Sequence, residues 1–129
     1  MDDVPGPILL VEDDPAMRDA GVELLEGEGY AVRCAANGRQ ALELLARSET
    51  PSLILLDLMM PIMDGWQFLE ERRRIEDSGA RRAPVVLLSG LGFIRGAVGV
   101  ADFLRKPIDA EALLGCVRRF AHASTHQPA

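Results

Sequence analysis

Residues that crosslink or carry positive charge are scarce in this chain. It has two cysteines in 129 residues, Cys34 and Cys116, both inside apolar-patterned segments and without metal-type spacing. They read as buried free thiols rather than as a disulfide. Lys and Arg together number 14 against 20 Asp and Glu, a formal net charge of -6. Phosphate contacts need a basic face, so direct nucleic-acid binding is not the expectation. No apolar run approaches the roughly 20 residues of a membrane span. The start, Met1-Asp2-Asp3-Val4-Pro5, lacks the basic lead and apolar core of a signal peptide. A cytoplasmic protein with no membrane insertion is expected. Repeats, linkers and low-complexity segments are absent too.

What remains is the composition of an ordinary globular domain, 48% hydrophobic and 26% charged. One domain is expected over residues 7–122, with a short lead at 1–6 and a flexible tail at 123–129. Four-residue apolar runs recur, each ending on a polar residue. Ile8-Leu9-Leu10-Val11 runs into Glu12-Asp13-Asp14, and Leu53-Ile54-Leu55-Leu56 into Asp57. Val85-Val86-Leu87-Leu88 runs into Ser89-Gly90. Runs this short and this apolar suit strands covered on both faces. Two weaker strands are read at 30–35 and 102–105, the second closed by Lys106-Pro107.

Helical spacing fills the intervals. Asp14 and Pro15 open a helix over about 15–28, with Met17, Gly21, Leu24 and Leu25 on one face. Asn37-Gly38 opens another through Ala41, Leu42, Leu44 and Leu45. Asp64-Gly65 opens a third through Phe68, Leu69 and Ile75, and Asp109 a last one through Leu113, Leu114, Val117 and Phe120. Between Leu91 and Ala101 stand Gly92, Gly96 and Gly99, room for a short or irregular helix only. Alternation of strand and helix predicts an α/β fold with a parallel sheet and helices on both faces.

In a parallel sheet the strand ends share one edge, so Glu12, Asp13, Asp57, Ser89 and Lys106 are expected to converge. Three carboxylates at close range resist joint ionisation unless a positive charge intervenes. Mg²⁺ suits such a set, because it takes hard oxygen ligands and keeps waters that a phosphate can replace. Carboxylate, Mg²⁺, ammonium and hydroxyl together match the demands of phosphoryl transfer. Singly, each residue has a plainer role. Asp14 and Asp64 read as helix caps, Ser89 as a loop hydroxyl, Lys106 as a solvated charge and Phe103 as a core aromatic. Trp66 either packs near the acidic cluster or covers the first helical turn. Arg72, Arg73, Arg74, Arg81 and Arg82 read as a solvated face rather than a surface for an acidic partner.

Taken together these pieces resemble a two-component response-regulator receiver domain of the single-domain chemotaxis type. The likeness is carried by Leu10-Val11-Glu12-Asp13-Asp14, Asp57-Leu58-Met59-Met60-Pro61 with Asp64-Gly65, Leu88-Ser89-Gly90, and Phe103-Leu104-Arg105-Lys106-Pro107. It runs from residue 7 to about 122. The resemblance implies a doubly wound, flavodoxin-like five-stranded sheet of order 2-1-3-4-5, with Asp57 at the switch point. It implies that Asp57 accepts a phosphoryl group from a histidine kinase or a histidine phosphotransfer protein. Glu12, Asp13, Asp57 and the backbone carbonyl of Met59 would hold Mg²⁺. Ser89 would bond a phosphoryl oxygen and Lys106 pair with the phosphoryl group, its bond to Pro107 being cis. Ser89 and Phe103 would form the switch that alters binding to a downstream target.

The segment between Ser89 and Lys106 departs from the family in being shorter and rich in glycine, which leaves its part in output open. Met59 and Leu91 are apolar where the family tunes water access, so slow self-dephosphorylation is expected. No effector segment follows the last helix, so output is expected to pass to another protein. Two other readings stay open. One is a receiver-like scaffold that interacts without phosphorylation. The other is a Mg²⁺-dependent hydrolase forming an aspartyl phosphate, although such enzymes carry a second acid where this chain has Met59.

Overall fold

The computed structural model describes residues 6–47, 50–75, 83–90 and 100–121. In chain order its elements are β1 (Ile8–Val11), α1 (Pro15–Gly27), β2 (Val32–Ala35), α2 (Gly38–Arg47), β3 (Leu53–Asp57), α3 (Gly65–Ile75), β4 (Val85–Ser89), β5 (Asp102–Arg105) and α4 (Ala110–Phe120). The five strands form one sheet of order β2-β1-β3-β4-β5. Every pairing is parallel, in a register that sets Ile8 opposite Val32 and Leu53, Ile54 opposite Val85, and Val86 opposite Asp102. The expected sheet and strand order are therefore present. The expected short fourth helix at 91–101 falls largely outside the described residues.

Successive strand residues point to opposite faces, and the apolar runs are sorted accordingly. Leu9, Val11, Ile54, Leu56, Val85 and Leu87 join Ala41 and Phe68 in one core. Ile8, Leu10, Leu53, Leu55, Val86 and Leu88 join Leu25, Leu113, Cys116 and Val117 in the other. That is why β1, β3 and β4 are buried along their whole length. A strand serving two cores has no polar face to alternate with.

The edge strands are only partly covered: β2 buries Ala35 alone, and β5 none of its residues. Two expectations need correction. Cys34 lies on that open edge and is exposed; it is a free thiol, as is the buried Cys116. Arg72 is not on a solvated face. It is buried, and its Nη2 donates to the carbonyl of Ala83, tying α3 to the approach to β4. Arg73 and Arg74 are exposed, and Arg81 and Arg82 lie outside the described residues.

The caps form where the sequence puts them. Asp14 accepts from the backbone N–H groups of Ala16 and Met17. Asp109 accepts from that of Ala112. Asp64 Oδ1 accepts from Gln67 N at 2.9 Å, while Gln67 Oε1 accepts from Asp64 N at 3.0 Å. This reciprocal box fixes the entry of α3.

Candidate functional site

All five strands run the same way, so their C-terminal ends form one rim, and the polar residues that close β1, β3, β4 and β5 lie along it. Asp57 is the last residue of β3, 3% exposed and opposite Leu88 of β4. Ser89, one residue further along β4, is fully buried. Glu12, directly after β1, is 3% exposed, and Asp13 beside it is half-buried. Carboxylate oxygens of Glu12, Asp13 and Asp57 all lie within 4.8 Å of one another.

Lys106 bridges this cluster from the far edge of the sheet. Its Nζ lies 3.1 Å from Glu12 Oε1 and 3.3 Å from Asp57 Oδ1. Backbone bonds hold it there: Lys106 N donates to the carbonyl of Ser89 at 2.8 Å. The Lys106–Pro107 peptide is cis. Burial works to lower the pKa of the ammonium, but its bonds to Glu12 and the charge of Asp57 outweigh that, and the net shift is upward. The cation is thereby held in its charged form.

Asp57 is shifted upward as well, which for a carboxylate favours the neutral form. Burial first, and then the charge of Glu12, push its pKa up to about 6 from an ordinary 3.8. Lys106 and the N–H of Met59, which donates to Asp57 Oδ1 at 3.3 Å, pull it partly back. One ammonium against three carboxylates leaves the rim short of positive charge. The deficit and the all-oxygen donor set suit a hard divalent cation.

The loops that carry these groups are pinned locally. Arg18 Nη1 donates to the carbonyls of Glu12 at 2.8 Å and Asp13 at 3.4 Å. Asp14 N donates to Glu12 Oε2 at 3.2 Å. Arg18 had no marked role in the sequence reading; its signal is a basic residue one helical turn beyond the Asp14 cap. After β3, Gly65 N donates to the carbonyl of Leu58 at 3.0 Å. A Cβ on Gly65 would stand 2.8 Å from the Asp57 carbonyl and 2.9 Å from Leu58 Cα, so only glycine lets α3 start this close. Between them Ile62 is left-handed, at φ 68°, and 71% exposed.

Of the residues singled out in the sequence, Glu12, Asp13, Asp57 and Lys106 meet directly. Ser89 shares the rim through its position on β4. Met59 turns its side chain outward and its N–H toward Asp57. Phe103 is half-buried in the middle of β5, opposite Leu87, and packs against the first core. Trp66, in the first turn of α3, is 39% exposed.

A family model described as the response regulator receiver domain matches residues 8–118. The DNA-binding dual master transcriptional regulator RpaA of Synechocystis sp. is 36% identical over 126 residues, covering 94% of this chain and 51% of that protein. Among solved structures, the chemotaxis protein CheY4 of Vibrio cholerae superposes with a TM-score of 0.80 at 28% identity, covering 91% of this chain and 99% of that one. The response regulator TrrA of Thermotoga maritima, in complex with Mg²⁺-BeF, gives 0.75 at 26% identity over 88% and 97% of the two chains. This chain belongs to the response regulator receiver domain family and is a receiver of two-component signalling. It spans about half the length of the curated relatives it matches. Among the described residues no helix is long and apolar enough to cross a membrane.

Proposed function

We propose that the chain takes a phosphoryl group onto Asp57 and changes its protein contacts in response. The observation that carries this reading is the approach of Lys106 Nζ to Asp57, 3.3 Å away, within a cluster of three carboxylates on one sheet rim. The donor is a phosphohistidine on a sensor histidine kinase or a phosphotransfer protein. A carboxylate oxygen of Asp57 forms a bond to phosphorus as the P–N bond breaks, and the electron pair leaves with the donor imidazole. Lys106 turns from its carboxylate partners to an oxygen of the incoming group, and the Ser89 hydroxyl donates to another.

Glu12, Asp13, Asp57 and the Met59 carbonyl would hold Mg²⁺, which supplies the charge neutralisation that phosphoryl oxygens need. The donor set fits such an ion in being all oxygen and net negative. The binding of Mg²⁺-BeF by TrrA supports carrying the same chemistry to this chain. The domain promotes only its own phosphorylation and its slow hydrolysis, and works in the cytoplasm. Occupied Asp57 draws Ser89 inward and Phe103 with it, and the altered surface is read by a downstream protein.

The test is binding of a phosphoryl mimic. Titration with beryllium fluoride, followed by ¹⁹F NMR, should give a bound signal of one equivalent that requires Mg²⁺ and is lost in Asp57→Asn. Absence of that signal in the wild-type chain with Mg²⁺ would favour a scaffold that keeps the fold without the chemistry. The apolar Met59 offers no group to orient water, so the phosphorylated form should persist for minutes or longer. Met59→Asn should shorten its half-life by about an order of magnitude. A wild-type half-life of seconds without a phosphatase contradicts the water-exclusion argument.

A further inference from the structure

Helices α1 and α4 cover the same face of the sheet, and between them lies a cavity of about 420 Å³. Leu10 and Leu88 form its floor, Met17 and Leu24 one side, Ile108 and Leu113 the other. Small residues leave the room: Ala20 and Gly21 on α1, and Ala110 at the start of α4. Gly21 also brings α1 close to the sheet, since a Cβ there would stand 2.9 Å from Leu10 Cδ2. The volume falls in the range of small-molecule sites, toward its lower end.

Among the described residues that line this space Glu12 alone is ionisable. Its Oε1 accepts from Lys106 and its Oε2 from Asp14 N, which leaves lone-pair positions on both oxygens. Glu12, Asp13 and Asp57 together outweigh the charges of Lys106 and Arg18 by one. An anion entering the cavity meets that excess unfavourably, and a neutral apolar molecule gains nothing from it. A cation with an apolar body gains from both walls and charge.

We propose that this cavity binds a monocationic amphiphile, an alkyl- or arylalkyl-ammonium of roughly ten carbon atoms. Its apolar body lies between α1 and α4, and its ammonium donates to Glu12. The proposal does not rest on phosphorylation, so it is tested on the full chain without divalent cation or phosphodonor. The probes are n-octylammonium, n-octanol and n-octanoate, titrated into ¹⁵N-labelled protein. Octylammonium should saturate at one equivalent, shift the amides of Met17, Ala20, Leu24 and Leu113, and bind about ten-fold tighter than octanol. Octanoate should bind more weakly than either.

Ala20→Phe, at an exposed helix position that lines the cavity, should weaken octylammonium about ten-fold by filling the space. Glu12→Gln should abolish the preference for ammonium over alcohol while octanol still binds. The proposal is overturned if the three probes bind alike, if binding does not saturate, if the shifts map elsewhere, or if Ala20→Phe leaves the affinity unchanged.

Discussion

Asp57 is the residue at which stability and function pull apart. Unfolded, an aspartate gives up its proton near 3.8; in the fold Asp57 holds it to about 6. Between those values the unfolded chain carries fewer protons, so stability falls as pH rises and the loss is complete above about 6. Without divalent cation the penalty should be about 3 kcal/mol at neutral pH. Asp57→Asn should remove it, raising the denaturant midpoint at pH 7 and flattening the profile between pH 4 and 6. A wild-type chain whose stability rises across that interval would contradict the burial argument. Ile62 stores a smaller cost. A β-branched residue at φ 68° is strained by about 1 kcal/mol, and Ile62→Gly should recover that amount in urea unfolding. Because its side chain is 71% exposed, little packing is lost in exchange.

Elements place these residues through backbone approach more than through side-chain packing. The β3–α3 junction depends on Gly65, whose Cβ position is taken by the Asp57 carbonyl and Leu58. Gly65→Ala must move the start of α3 away from β3, and the Asp57 carboxylate and Met59 with it. The expected result is a loss of about 2 kcal/mol in stability, together with a Mg²⁺ affinity at least several-fold weaker in calorimetry. Unchanged values for both would mean that the junction is slack. Further from the site, β3 belongs to both cores, and its fully buried Leu56 is a test of the first. Leu56→Ala should cost about 2–5 kcal/mol, read as a lower midpoint with unchanged slope.

At the scale of the whole molecule, the parts of the fold legible in the sequence were those whose signal is local. The central strands β1, β3 and β4 announce themselves because two cores demand unbroken apolar runs, and Asp14, Asp64 and Asp109 because a cap is set by the next three residues. Cys34 and Arg72 were misjudged because burial there is decided by tertiary neighbours. Cys34 sits in an apolar segment that forms a sheet edge, and Arg72 in a charged run that meets Ala83. Alternation alone gave convergence on one rim but not strand order. The contact of Lys106 with Glu12, 94 residues apart in the chain, follows only once β5 is placed beside β4. Family resemblance supplied that order before the sheet did. Arg18, holding the Glu12 and Asp13 carbonyls, is marked in the sequence only by its place one turn beyond the Asp14 cap, where an arginine equally often is a solvated charge.

The proposed phosphoryl acceptor, Asp57, needs its neighbours and a divalent cation. The most direct test of this is intact mass after incubation with acetyl phosphate, with and without Mg²⁺, beside Asp57→Asn and Lys106→Met. One added phosphoryl group is predicted in the wild-type chain with Mg²⁺, none without the ion or in Asp57→Asn, and a reduced rate in Lys106→Met. A wild-type chain that stays unmodified with Mg²⁺, both with this donor and with a panel of phosphorylated histidine kinases, would contradict it. So would an adduct that forms equally well in Asp57→Asn.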